Sequence, residues 1–213
     1  MKTTTMNDTN SNKAHNSSNT KMLILAAIFT AVNVVCAQIQ IPIAPVPISL
    51  ATFAIFLTAG LLGHKYGSLS LIVYVLLGAI GAPVFAGFSG GFGIITGPTG
   101  GYIIGYIFTA FITGFIIDSY MAKSAAGEPA RAGEPARRRP VPPYPVLILA
   151  IIAGLAACYL LGTIWFIHLT GWTIGKALMT CVVVFLPGDA LKIILAAILI
   201  RKLYPAASSF RAI

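Results

Sequence analysis

The sequence predicts an all-α integral membrane protein, a bundle of six transmembrane helices with structured Gly/Pro-rich outer loops. The first reason is composition. Hydrophobic residues make up 57% of the chain and charged residues only 9%, with a mean hydropathy of +0.89, whereas soluble domains carry about 25% charged residues. The second is the division of the chain into six apolar segments by polar or Gly/Pro-rich connections. The third is the placement of basic residues in alternate connections, as six crossings require.

The charge distribution also sets the orientation and excludes one class of partner. The net charge is +9, and every lysine and arginine except Lys176 and Lys192 lies in the N-terminal tail, at Lys65, in 123–139 or at the C-terminal end from Arg201 onward. Basic residues concentrate on the cytoplasmic side of membrane proteins, so both termini are expected to be cytoplasmic. The basicity therefore predicts contact with a lipid bilayer and no binding of nucleic acid.

Three regions follow from the hydropathy. A polar tail, 1–21, is expected to be disordered because it has almost no apolar residues. The membrane domain is expected at 22–202, followed by a short C-terminal tail, 203–213. The predicted spans are 22–40, 52–62, 68–80, 102–117, 146–167 and 176–200.

Two outer connections are expected to be structured without being regular helices. The first, 38–49, contains Pro42, Pro45 and Pro47, which exclude a continuing helix. The second, 81–101, contains eight glycines and two prolines. Irregular backbone at membrane depth is tolerated only where it is buried in protein or lines a cavity. The outer half is therefore the expected place for ligand chemistry.

The long inner connection, 123–145, is expected to be a low-complexity cytoplasmic linker. Its sequence Ala-Gly-Glu-Pro-Ala-Arg occurs twice in succession and is followed by Arg138 and Arg139. Repeats of this composition have no apolar residues for a packed core. We assign the linker no function.

Asp189 and Lys192 are the most informative residues. They form the one acid–base pair well inside an apolar segment, and a spacing of three puts both on one helix face. A charge at the bilayer centre costs about 2.5–3.5 kcal/mol on insertion scales. The pair therefore either neutralises itself as a structural ion pair or meets a polar ligand. Pro187 and Gly188, which are expected to kink the helix and free backbone carbonyls, favour a binding site.

Enzyme, nucleotide and metal chemistry are not expected. The chain has no Ser–His–Asp set, paired carboxylates or H-E-x-x-H motif. The stretch 97–102, Gly-Pro-Thr-Gly-Gly-Tyr, lacks the lysine of a phosphate-binding loop. Cys36, Cys158 and Cys181 have no neighbouring Cys-x-x-Cys pair or histidine cluster, so they are expected to be buried small apolar residues rather than metal ligands.

Several strings together resemble the BioY family over about 22–202. They are Pro45-Val46-Pro47 with Thr52-Phe53, Gly60-Leu61-Leu62-Gly63, Leu77-Gly78-Ala79, Pro83-Val84-Phe85-Ala86-Gly87, Gly97-Pro98-Thr99-Gly100-Gly101-Tyr102 and Pro187-Gly188-Asp189-Ala190-Leu191-Lys192. The last two strings in combination are specific, although neither alone would be.

This resemblance implies a biotin-binding S component of an energy-coupling factor (ECF) transporter in a bacterial plasma membrane. Such a subunit captures biotin from outside and passes it inward with a transmembrane coupling protein and two ATPase subunits. Biotin is its ligand, and no cofactor is implied. Ala27 and Ala31 have a small-x-x-x-small spacing that allows close helix approach. Alone, the abundance of alanine in membrane helices explains that spacing more simply, but the resemblance implies partner docking.

The resemblance also implies a set of biotin-binding residues. Lys192 is expected to pair with the biotin carboxylate and Asp189 to accept from the ureido N–H groups, or one of the two orients the other. The remaining candidates are expected to supply loop contacts, namely Thr99, Gly100 and Gly101, and to cover the ring, namely Phe85, Tyr102, Tyr159 and Trp165.

The chain departs from the family pattern at Ala51, where the family has a glutamine just before Thr52-Phe53, and in its Arg-rich repeat. A polar contact from that glutamine would be missing. Two alternatives remain open from the sequence. One is a solitary carrier of biotin or another small vitamin that works without ATPases. The other is a structural membrane protein in which Asp189 and Lys192 form an internal ion pair.

Overall fold

The computed structural model describes residues 4–41, 46–126 and 140–210, with side chains from residue 19 onward. Seven α-helices and one short antiparallel strand pair make up this part of the chain. In order they are α1 (Thr4–Gln38), β1 (Gln40–Ile41), β2 (Ile48–Ser49), α2 (Ala51–Ala79), α3 (Phe92–Thr96), α4 (Gly100–Ala126), α5 (Tyr144–Thr170), α6 (Ile174–Leu178) and α7 (Leu186–Ser208). A 3₁₀ turn covers Ala86–Phe88, and a π-helical turn covers Met179–Val183.

Helix α1 begins at Thr4, so the expectation of a disordered tail over 1–21 is wrong for 4–21. Its apolar part, Asn19–Gln38, is long enough to cross a membrane and lies close to the predicted first span. Extending a formed helix adds one hydrogen bond per residue without a new nucleation step, and the apolar part provides the nucleus. The polar residues therefore continue the helix although their composition alone does not favour it.

Helix α2 contains both the second and third predicted spans. Gly63 has φ 75° and ψ −175°, which interrupts the helical backbone. A β-carbon added at Gly67 would lie 3.3 Å from the carbonyl oxygen of Thr58, whereas nine residues of straight helix extend about 13.5 Å. The chain therefore turns back at Gly63, and the two segments pack against each other.

Gly63 allows this reversal because glycine adopts positive φ without steric cost. The backbone N–H of His64 donates to Asp118 Oδ2 at 2.9 Å, and the His64 ring nitrogen Nδ1 lies 2.7 Å from the same oxygen. Asp118 on α4 thereby satisfies a free N–H at the start of the second segment. Gly114 faces the same turn, where any side chain would overlap the backbone of His64.

The last predicted span, 176–200, is broken rather than continuous. Helix α6, the π-helical turn and α7 follow one another, with a bend of 40° between Val183 and Leu186. Pro187 lies in the first turn of α7, where its missing N–H removes no helical hydrogen bond. Helix α7 continues to Ser208, so residues 203–208 of the predicted C-terminal tail, 203–213, are helical.

Length and composition allow four helices of the described residues to cross a membrane, and a fifth if α6 to α7 counts as one broken span. The four are Asn19–Gln38, α2, α4 and α5. The six separate spanning helices that the sequence predicts are therefore not found among the described residues. The count differs because α2 joins two predicted spans and because the last one is broken.

Helices α2, α4 and α5 form the centre of the bundle, with small residues at their contacts. Gly105 on α4 faces Cys158 on α5, where an added β-carbon would lie 2.9 Å from the sulfur. The hydroxyl of Thr109 donates to the carbonyl of Gly154 at 3.0 Å. Close backbone approach and interhelical hydrogen bonds of this kind hold helices together in lipid.

The sequence predicts structured outer connections, and the described parts of 38–49 and 81–101 contain short regular elements. Strands β1 and β2 pair with Gln40 opposite Ser49, while Pro42 and Pro45 lie outside the described residues. In 81–101 the regular elements are the 3₁₀ turn, α3 and the first two residues of α4. The inner repeat falls almost entirely within 127–139, which also lies outside the described residues.

Candidate functional site

The candidate site is built around Asp189 and Lys192. Asp189 lies in the first turn of α7, where the positive end of the helix dipole favours a carboxylate. The Lys192 ammonium Nζ lies 2.9 Å from Asp189 Oδ1, and the two side chains are 12% and 3% exposed, respectively. The spacing of three therefore gives a direct and nearly buried ion pair.

Three further residues complete the hydrogen bonds of this pair. Lys192 Nζ donates to the carbonyl oxygen of Ser49 at 2.7 Å and to Thr52 Oγ1 at 3.0 Å. The Thr52 hydroxyl donates to Asp189 Oδ1 at 3.2 Å, and the Tyr159 hydroxyl donates to Asp189 Oδ2. We call these five residues the polar cluster. It joins β2, the start of α2, α5 and α7.

The polar cluster satisfies both buried charges. Lys192 has three donors, and all three are used. Asp189 accepts from three side chains. Burial of an ion pair is tolerated when hydrogen bonds complete its geometry. A ligand anion approaching Lys192 would have to replace one of its neutral acceptors, Ser49 or Thr52, and the full negative charge of the anion would attract the ammonium more strongly than either neutral oxygen does.

The polar cluster lines a cavity of about 40 Å³, which we call the smaller cavity. Its apolar walls come mainly from α5 and from the broken last span. These residues are Leu155, Cys158, Cys181 and Phe185.

A second cavity of about 200 Å³, the larger cavity, adjoins the first. The two share five lining residues, Val46, Pro47, Ser49, Tyr102 and Tyr106. The other walls of the larger cavity come from α1, α2, the connection 81–101 and α4, and they are Ala37, Ala51, Tyr74, Phe85, Ala86, Ser89, Ile94, Thr99 and Ile103. Aromatic and apolar groups with a few hydroxyls therefore surround the space.

Four of the predicted ligand contacts line these cavities in addition to Asp189 and Lys192. Phe85 and Thr99 line the larger cavity, Tyr159 lines the smaller, and Tyr102 lines both. The Tyr102 hydroxyl is 3.1 Å from Thr163 Oγ1 on α5, which fixes the ring between the two helices.

Gly100, Gly101 and Trp165 are not among the residues that line either cavity in the described chain. The indole Nε1 of Trp165 donates to the carbonyl of Gly97 at 3.0 Å. A side chain at Gly101 would overlap Trp165, and one at Gly100 would overlap the carbonyl of Ile95. These three residues hold the connection 81–101 against α4 and α5, which positions Thr99.

Ala27 and Ala31 lie on the outward face of α1 and are exposed. The same face carries exposed apolar side chains, including Leu23, Ile28 and Val35. The opposite face of α1 is buried against α2. The two alanines therefore lie at the surface of the bundle and are not among the residues that line the two cavities.

The sequence analysis missed several lining residues. Thr52 belongs to the resemblance strings, but its contact with Asp189 spans 137 residues and could not be read from the sequence. Tyr106 could have been found, because it follows Tyr102 by one helical turn on the same face. Ala51, which replaces the family glutamine, lines the larger cavity and is 4% exposed.

The described residues contain no group of three or more His, Cys, Asp or Glu side chains arranged to hold a metal ion. Within these residues the titratable groups of the site are therefore the ion pair, the tyrosines and two cysteines. Such a set suits reversible binding of a polar organic ligand. It provides hydrogen bonds and one compensated charge pair rather than a nucleophile with a general base.

Comparison with known proteins places these features in one family. The BioY family model matches residues 6–209. A biotin transporter BioY of Thermotoga maritima is 38% identical over 86% of this chain and 95% of that relative. A probable biotin transporter BioY of Pyrococcus horikoshii is 37% identical over 86% of this chain and 96% of that relative.

The fold also matches a solved structure. A crystal structure of the S-component for biotin from an ECF-type ABC transporter aligns with a TM-score of 0.74 at 30% sequence identity. The alignment covers 88% of this chain and 93% of that chain. With the family model covering nearly all residues, the chain belongs to the BioY family.

Proposed function

We propose that this chain is the membrane subunit that captures biotin from outside the cell for uptake. The observation that carries this proposal is the polar cluster of Asp189 and Lys192 at the wall of two adjoining cavities. The relatives are named as biotin transporters, which supports biotin as the ligand. The chain acts in transport and is not an enzyme.

The chemical groups of biotin match the polar and the apolar walls of the two cavities. It has a carboxylate, a ureido group with two N–H donors and one C=O acceptor, and an apolar thioether bicycle. Lys192 provides a cation for the carboxylate, and aromatic side chains such as Phe85 and Tyr102 provide an apolar surface for the ring. Ligand sites are commonly of this kind, apolar with a few placed polar groups.

A six-pass topology with both termini in the cytoplasm fits this role. Counting the two segments of α2 on either side of Gly63 as separate passes, and α6 to α7 as one, gives six. Lys65 beside Gly63, Lys123 in the last turn of α4, and Arg201 and Lys202 in the second half of α7 then lie on the cytoplasmic side. The Gly/Pro-rich connections and the cavities they line face outward.

We further propose that the chain works with an ECF module of one transmembrane coupling protein and two ATPases. The solved neighbour is the S-component for biotin from an ECF-type ABC transporter, which supports a partnership of this kind. Ala27 and Ala31 provide an exposed flat strip on α1 against which another helix can pack closely. ATP hydrolysis would then be carried out by the partners.

Calorimetric titration of biotin into the detergent-purified chain tests the ligand. The parent is expected to bind biotin, whereas Lys192→Ala and Asp189→Asn, eluting as folded protein, are expected to lose binding. Absence of heat from the folded, ligand-free parent would exclude biotin. Retention of affinity in both variants would favour a purely structural ion pair.

Reconstitution with the partner subunits tests the ECF dependence. Ala27→Leu/Ala31→Leu should bind biotin like the parent but lose ATP-dependent uptake, because larger side chains hold the docking helix away. Ala156→Leu, at an exposed alanine of α5, is the matched control and should transport normally. Equal biotin uptake with and without the ATPases would instead identify a solitary carrier.

A further inference from the structure

One lysine lies at the outer end of the bundle in the proposed topology, and no carboxylate accompanies it. The stretches 38–49, 81–101 and 168–178 contain a single residue of the types Lys, Arg, Asp and Glu, and this residue is Lys176. The same stretches contain one histidine, His168. Of the five acidic residues in the chain, four lie on the inner side in that topology and the fifth belongs to the buried ion pair. The outer surface therefore presents a positive charge that no neighbouring acid cancels.

Packing fixes the position of this ammonium. Lys176 is exposed on α6, and its Nζ lies 3.9 Å from the centroid of the Trp172 ring. Trp172 in turn packs edge to face on Phe166, with ring centroids 5.3 Å apart, and Phe166 is 1% exposed. An aromatic ring attracts a cation through its quadrupole and does not neutralise the charge. The positive charge therefore stays at one place on the outer surface instead of moving with a free side chain.

The same packing places the charge near the wall of the smaller cavity. Trp172 packs against a buried cluster that contains Tyr102 and Cys181, and both of these residues line that cavity. Ala177, the residue after Lys176, belongs to the same cluster and is buried. Cys181 follows Lys176 by five residues, which is about 7.5 Å of helix. A charge at that distance still acts at the cavity wall, since the Debye length at physiological salt is about 8 Å.

We propose that Lys176 attracts the carboxylate of biotin to the outer surface and speeds its capture, before Lys192 receives that group inside. This inference rests on the proposed function and its topology. A fixed charge beside low-dielectric walls raises the local concentration of an oppositely charged ligand and thereby the association rate. Lys192 does not supply this attraction at long range, because Asp189 balances its charge at 2.9 Å.

Association and dissociation rates of biotin with the full chain in detergent, measured by stopped-flow mixing, test the inference. At about 0.01 M salt, where the Debye length is about 30 Å, Lys176→Gln should associate about two- to fivefold more slowly than the parent. Lys176→Glu reverses the charge and should lower the rate by about the square of that factor. At about 1 M salt, where the Debye length is about 3 Å, the rates should converge. Dissociation should stay unchanged, because Lys176 is not among the described residues that line either cavity.

Lys202→Gln is the matched control, because it removes the same charge from an exposed lysine of α7 at the inner end of the bundle in the proposed topology. It should keep the parental rates. Lys176→Arg keeps both the charge and a cation for the Trp172 ring, so it should restore the association rate that Lys176→Gln loses. The carboxamide of biotin has no charge and should associate equally fast with the parent and with Lys176→Gln.

Parental association of Lys176→Gln at low salt overturns the inference and leaves the proposed function intact. Equal slowing for the carboxamide, or slowing of the same size in Lys202→Gln, also overturns it, because attraction between Lys176 and the carboxylate would then not be the cause. Faster dissociation with unchanged association overturns it as well, since Lys176 would then stabilise the bound state. A folded parent that binds no biotin overturns both proposals.

Discussion

Replacing both charges of the buried ion pair should disturb the fold less than replacing either one. Lys192→Met leaves the Asp189 carboxylate, 3% exposed, with only the neutral donors of Thr52 and Tyr159. Asp189→Leu leaves the Lys192 ammonium, 12% exposed, with the acceptors of Ser49 and Thr52. The double variant leaves no isolated charge.

The expected losses of stability follow from whether a variant leaves an isolated buried charge. Removing one partner of a buried pair costs about 3–5 kcal/mol, whereas apolar replacement of the whole pair is often neutral or stabilising. Lys192→Met should be the worst of the three, because Asp189 has the less exposed side chain. At 150–250 residues, 1 kcal/mol shifts the melting temperature by about 2–4 °C. Each single variant should therefore melt roughly 6–20 °C below the parent.

These changes in melting temperature are measured by thermal unfolding in one detergent. The samples are the parent, both single variants and the double variant, and biotin calorimetry is carried out on the same samples. The double variant should melt closer to the parent than either single variant does and should still fail to bind biotin. A double variant that loses as much stability as both single variants together would refute the reasoning, because the two charges would then act independently. A stable double variant with parental affinity would show that Asp189 and Lys192 serve the fold alone.

Three further predictions concern the surroundings of the site. Gln38→Leu removes an amide that donates to the Phe85 carbonyl at 3.2 Å, so biotin should dissociate faster in stopped-flow measurements, and unchanged dissociation would contradict a positioning role. Gly78→Ala should unfold at lower temperature because its methyl group would overlap the Phe85 ring; an unchanged melting temperature would show that the ring moves freely. Asp118→Ala leaves the His64 N–H without its acceptor and should lower stability by about 1–3 kcal/mol in thermal unfolding, with biotin affinity unchanged; a loss of affinity would instead connect this turn to the cavities.

The ion pair could be predicted from the sequence because charges inside an apolar segment have no ordinary explanation there. The hydrogen-bond partners of this pair could not be predicted from the sequence. The Tyr159 contact with Asp189 spans 30 residues and the Thr52 contact spans 137, and such separations are fixed by helix packing rather than by local pattern. The resemblance to BioY supplied the family, and the structure supplied the hydrogen bonds.

Aromatic composition was a weaker guide to the ligand wall. Trp165 and Tyr159 are both on α5, but only Tyr159 lines a cavity. Tyr106 was not predicted, although it follows Tyr102 by four residues on the same face of α4. Which face of a helix meets a cavity depends on its rotation within the bundle, and a fully apolar helix gives almost no periodic signal for that rotation.

The observed start of α1 differs from the predicted one for a physical reason. The polar residues after Thr4 have the composition of a tail, yet the backbone stays helical because the apolar part of α1 continues into them. The reversal at Gly63, in contrast, falls between the predicted spans 52–62 and 68–80, and the non-helical backbone there is confined to Gly63.

The contact of Trp165 with Gly97 gives the protein a built-in optical probe. The indole N–H is bonded to the stretch that leads to Thr99 at the larger cavity, so any displacement of that stretch changes the polarity around the indole and shifts its emission. The chain has two tryptophans, and the second, Trp172, packs at 5.3 Å on the Phe166 ring. Recording the emission of a Trp172→Phe variant would therefore follow the outer wall of the cavity in real time without any attached dye.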